Sequence, residues 1–95
     1  MNQRFAGTYA MFPYFVMVDP QLSYGEKCIY SCILYLNQME KGCFASNQYF
    51  ADRYQLSLST VSHALCKLER LGYIGRETDH HSGTRYIVAK ERGVS

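Results

Sequence analysis

The chain has 95 residues and a mass of 11.0 kDa, enough for one small domain and too little for a second. Hydrophobic residues make up 47%, a globular proportion that excludes a disordered chain, and no run of eighteen apolar residues offers a membrane span. The net charge of +2 announces no polyanion partner by itself, but residues 1–45 carry three basic and three acidic side chains and residues 46–95 seven and five, so the positive excess lies in the second half.

Residues 1–20 form an aromatic and apolar arm: Phe5, Tyr9, Met11, Phe12, Tyr14, Phe15, Val16, Met17 and Val18, with Pro13 and Pro20 interrupting any continuous helix. The pattern predicts at most a short turn or strand at 14–18. Such a segment is too apolar to stay uncovered. No basic stretch leads an apolar one in the manner of a secretory signal, so the expected location is the cytoplasm. There Cys28, Cys32, Cys43 and Cys66 are reduced thiols. Their spacing with His63, His80 and His81 matches no metal-ligand pattern, and core packing is the favoured role.

Ser23-Tyr24-Gly25-Glu26 is a capping box, with Leu22 as its staple, and opens a helix running to about Met39. Cys28, Ile29, Cys32, Ile33 and Leu36 make its apolar stripe, and Tyr30, Leu34 and Tyr35 lie off it. A helix apolar on more than one side needs cover on both. Ser46 caps a short second helix ending near Tyr54, with Phe50, Ala51 and Tyr54 inward. Ser57 caps a third over 58–71, with Val61, Ala64, Leu65, Leu68 and Leu71 inward and Gly72 as its stop. Two strands, 73–77 and 84–88, follow, joined by the polar loop Thr78-Asp79-His80-His81-Ser82-Gly83. Both histidines read as solvated loop side chains. The organisation is an arm over 1–20, a domain over 21–89 and a flexible tail over 90–95.

The second and third helices fit a helix-turn-helix: Ala51 supplies the small residue at the crossing, Leu56 points inward after the turn, and Val61 locks the later helix in place. Ser57, Ser59, Thr60 and Ser62 put small hydroxyls at the N-terminal end of the third helix, where they let a helix sink toward base edges. On these two helices alone, a DNA reader and a plain three-helix bundle stand equal. The hairpin moves the balance, because a two-stranded wing carrying Arg76 and Arg85 directly after the helix is suited to lie along a DNA backbone. The fold class is therefore α+β, mainly α: a three-helix winged helix-turn-helix with a C-terminal β-hairpin and an N-terminal apolar arm.

Residues 44–74 follow the pattern of the winged helix-turn-helix superfamily almost position by position, and the resemblance extends over roughly 12–88. The lead-in Asp19-Pro20-Gln21-Leu22-Ser23 and the stretch Lys27-Cys28-Ile29-Tyr30 resemble the N-terminal domains of plasmid and phage replication initiators of the RepA type. The resemblance implies that the third helix is the recognition helix. It places Ser59, Thr60, Ser62, His63 and Lys67 toward DNA, Ser46, Asn47, Gln48 and Tyr49 near phosphate, and Arg85 on the wing. Two positions depart from the pattern: Gln55 where Gly is usual in the turn, and Leu58 where a polar or basic residue is usual.

The expected function is sequence-specific binding of double-stranded DNA, in replication initiation at origin-like repeats or in transcription control at an operator. A winged helix serving only protein–protein contacts is the alternative of another class. No catalytic constellation, cofactor motif, metal site or small-molecule site is evident. The surplus apolar surface favours a homodimer with Phe12, Tyr14, Phe15, Tyr30 and Leu34 at its interface, against a monomer whose arm closes its own core.

Overall fold

The computed structural model describes residues 14–39, 42–78 and 81–90. The expectations placed on Phe12, His80 and residues 91–95 lie outside them. Four helices and one hairpin follow in order among the described residues: α1 (Tyr14–Met17), α2 (Tyr24–Asn37), α3 (Asn47–Tyr54), α4 (Leu58–Arg70), β1 (Ile74–Thr78) and β2 (Arg85–Ala89).

The capping box forms as its residues require. Ser23 Oγ accepts from the Glu26 backbone N–H, and Glu26 Oε1 accepts from the Ser23 N–H at 2.8 Å. Ser46 and Ser57 cap α3 and α4 by accepting from the backbone N–H groups of Tyr49 and Thr60. The core gathers Ile29, Tyr30 and Ile33 from α2, Phe50 from α3, Val61, Leu65 and Leu68 from α4, and Ile74 and Ile87 from the hairpin. Ala51 and Val61 are buried at the crossing of α3 and α4, and Leu56 packs against the core between them. The turn closes with the Leu56 N–H donating to Ala51 O at 2.9 Å. Gln55 reaches this geometry in the left-handed region, at φ 59° and ψ 46°. A side chain there carries a strain of roughly 1 kcal/mol that Gly would avoid.

β1 and β2 pair antiparallel, with Arg76 opposite Ile87 and Thr78 opposite Arg85. Each strand lies one residue later than the sequence pattern predicts. Cys43 adds an isolated bridge to Ile87, and Asn37 at the end of α2 clamps β2: its Nδ2 donates to Ile87 O at 2.9 Å and its Oδ1 accepts from the Ala89 N–H at 2.6 Å. The helices thereby hold the hairpin along its length.

Residues 14–17 form a helical turn rather than a strand, and this turn supplies the cover that α2 needs. Val16 is fully buried and Phe15 packs edge-on to Tyr30, with ring centroids 6.1 Å apart. The expected interface role of Tyr30 is thereby corrected. Its side chain has 0% exposure and its hydroxyl donates to Lys90 O at 2.8 Å, so it is spent inside one chain. Phe15 and Leu34 also pack partly against the core, whereas Tyr14 stays 76% exposed. Lys90, assigned above to a flexible tail, belongs to the hairpin root: its N–H donates to Tyr73 O at 2.7 Å.

Candidate nucleic-acid interface

A helix advances 100° per residue, so α4 sorts into sides. Val61, Ala64, Leu65 and Leu68 face the core. Ser59, His63, Cys66 and Arg70 follow one another at spacings of four, three and four residues on the side directly opposite, and all four are exposed. This stripe is the outward face of the helix that follows the turn. Leu58, at its start, is 49% exposed, and Thr60 is exposed on the border toward α2.

Two stripe residues were missed by sequence reasoning. Core packing is the role expected of Cys66 as of the other thiols, yet it is exposed, whereas Cys32 and Cys43 are buried and Cys28 is intermediate. Arg70 is the other, absent from the DNA-facing residues that the resemblance implies. The signal was present, since Arg70 stands seven residues after His63 and eleven after Ser59, which returns it to the same side of a helix.

Several residues expected at the interface have partners within the chain. Lys67 sits on the α2 border of α4, with Nζ 3.1 Å from Glu26 Oε1, so it ties the candidate recognition helix to the capped start of α2. Arg76 meets Glu69 Oε1 through Nη2 at 2.7 Å and Cys66 Sγ at 3.6 Å. The hydrogen bond to Glu69 raises the Arg76 pKa above its usual value. Arg85 donates through Nη1 to Asn47 Oδ1 at 3.0 Å and through Nη2 to Ala45 O at 2.7 Å. Burial holds the Arg85 pKa below its usual value, and the nearby charge of Arg76 acts in the same direction.

Both corrections follow from strand alternation. Arg76 stands two residues after the buried Ile74, and Arg85 two before the buried Ile87, so both arginines occupy the inner side of the hairpin. The outer side carries Glu77 and Tyr86, joined by a 2.6 Å hydrogen bond, and the exposed Val88.

The start of α3 is engaged in the same way. The hydroxyls of Ser46 and Ser57 act as caps, and Ser57 also donates to Thr60 Oγ1 at 2.8 Å. Asn47 receives Arg85, and Gln48 donates to Asp52 one turn later at 2.8 Å. Tyr49 keeps a partly exposed ring against Phe50, with the Arg53 guanidinium 5.9 Å from its centre. Ser62 is half-buried on the hairpin border of α4. The loop residues 81–84 are exposed, and Thr84 lies beside Phe44, Ser46 and Asn47 at the start of α3.

Among the described residues no group of three histidine, cysteine or acidic side chains is placed to hold a metal ion, and no helix is long and apolar enough to cross a membrane. No curated protein matches the chain. A family model described as a helix-turn-helix domain matches residues 21–74, more than half of the chain and the span from the α2 cap through the first residue of β1. The chain belongs to this helix-turn-helix domain family.

Proposed function

We propose that the chain binds double-stranded DNA through the outward side of α4, together with the exposed hairpin loop, and performs no chemistry of its own. The observation that carries this reading is the exposed stripe Ser59, His63, Cys66 and Arg70 on the second helix of a helix-turn-helix whose inner side is locked by Val61, Leu65 and Leu68. The small side chains near the start of α4 allow close approach to base edges in the major groove. His63 is suited to a base contact, and Arg70 offers a cation to phosphate.

The setting we favour is replication initiation on a plasmid or phage, supported by the resemblance of the lead-in 19–23 and of Lys27-Cys28-Ile29-Tyr30 to RepA-type initiators. Operator binding in transcription control uses the same surface. The protein-contact reading has one observation in its favour: Lys67, Arg76 and Arg85 have internal partners, which leaves fewer cations for phosphate. A homodimer remains part of the proposal, with its surface moved to the exposed Tyr14, Met17, Val18 and Tyr24. Sedimentation at micromolar concentration tests it; an 11.0 kDa species without DNA and a complex of one chain per bound site with it contradict it.

Selection of bound sequences from random duplexes is the test of the main reading. A consensus in tandem repeats supports an initiator, and a single palindrome supports an operator-binding regulator. The absence of any enriched sequence, together with binding indifferent to salt, contradicts DNA recognition.

A further inference from the structure

The arm and the hairpin root, far apart in sequence, meet in one cluster. Phe15 stacks on Tyr73 with centroids 6.1 Å apart and planes 8° from parallel, and Tyr73 packs edge-on to Tyr30 at 5.4 Å. The Tyr73 hydroxyl donates to Asp19 Oδ2 at 2.6 Å, in a bond spanning 54 residues. Asp19 is only 8% exposed, and its Oδ1 accepts from the Gln21 N–H. Tyr73 in turn closes the hairpin root through its carbonyl, which accepts from the Lys90 N–H, while Lys90 O accepts from Tyr30. Lys27 Nζ donates to Met17 O at 2.7 Å and pins the end of α1 to α2.

We infer that the segment 14–19 is a positioning element for the wing, with Asp19 holding Tyr73 and thereby the root of the hairpin. A two-stranded hairpin has little stability of its own and takes its direction from whatever grips it. Asn37 grips β2 at its middle and at its last residue, Ala89, and Arg85 grips the loop end, while beyond Ala89 the root is built jointly from α2, Tyr73, Lys90 and the arm. A buried carboxylate needs its hydrogen-bond donors, so the Asp19–Tyr73 pair has one favoured arrangement rather than a sliding contact. Arm residues 14–20 and strand β2 lie outside the matched span 21–74, whereas Tyr30 and Tyr73 lie inside it, so the coupling joins the arm to the helix-turn-helix frame.

Amide hydrogen exchange on the whole chain tests the inference without DNA. In Asp19→Ala, the amides of Ile87, Ala89 and Lys90 are expected to exchange on the order of tenfold faster, while those of Val61, Leu65 and Leu68 in α4 change far less. Asp19→Asn retains an acceptor for Tyr73 and is expected to recover most of the protection. Tyr73→Phe keeps the ring stack and carries the test if Asp19→Ala does not fold. An equal change in hairpin and α4 amides, or none in the hairpin, overturns the inference, since it reduces Asp19 to a general contributor to stability. The consequence for DNA rests on the proposed function: the loosened variants are expected to bind the selected duplex on the order of tenfold more weakly. A selectively loosened hairpin with unchanged duplex affinity upholds the coupling and contradicts only a DNA contact by the wing.

Discussion

Replacing Arg85 by Ala removes two hydrogen bonds at once, to Asn47 Oδ1 at 3.0 Å and to Ala45 O at 2.7 Å. A net hydrogen bond from a charged donor is worth about 1.5–3 kcal/mol. The guanidinium is only partly buried, so water recovers part of that, and the expected loss is about 2 kcal/mol in total. For a domain of this size the loss corresponds to a fall in Tm of roughly 8–16 °C, or in urea midpoint of roughly 1–2 M. Arg85→Lys keeps a charge but loses the fork that reaches both acceptors, and it is expected to fall between the two. Equilibrium urea unfolding followed by circular dichroism measures all three proteins. If the midpoint of Arg85→Ala matches that of the parent while duplex affinity falls, Arg85 is a solvent-facing wing cation and the inner-side assignment is wrong.

Arg70→Ala is expected to make the log–log salt dependence of duplex binding shallower by about one unit, and Lys67→Ala, which removes a cation already paired with Glu26, by clearly less. His63→Ala is expected to change preference among sequences by about 1–3 kcal/mol in competition binding. Ser31 Oγ is buried with no hydrogen-bond partner among the described residues, so Ser31→Ala is expected to raise stability by about 1 kcal/mol in the same urea assay. Burial raises the thiol pKa values of Cys28, Cys32 and Cys43 above their ordinary value of 9.0. The folded chain therefore holds these protons where the unfolded chain has released them. Their contribution is full below about pH 9 and is lost as pH rises through the raised values, so the urea midpoint is expected to fall in alkali.

The helical frame was legible because each of its signals is local. The Ser23–Glu26 box, the Ser46 and Ser57 caps and the Val61–Leu68 stripe act within a turn or two of chain, and each forms as the spacing requires. What escaped depends on residues distant in sequence. The partner of Arg85 is 38 residues away, that of Arg76 is seven residues away on another element, and that of Asp19 is 54 away. The side of the hairpin occupied by Arg76 and Arg85 was nevertheless within reach, since alternation from Ile74 and Ile87 points both inward. Basic side chains on a presumed wing were read by charge when position should have decided. The arm escapes for another reason: Phe15 packs against Tyr30 and Tyr73, which no local pattern connects to it.

In the proposed complex α4 presents Ser59, His63, Cys66 and Arg70 to duplex DNA. Titrating the isotopically labelled chain with its selected duplex and following amide chemical shifts tests it most directly. The largest shifts are predicted at these four residues and at 81–84 in the hairpin loop, with smaller ones at the start of α3. Shifts confined to Tyr14–Val18 and Tyr24, with the outward side of α4 unmoved, would contradict it and make the exposed arm the binding surface.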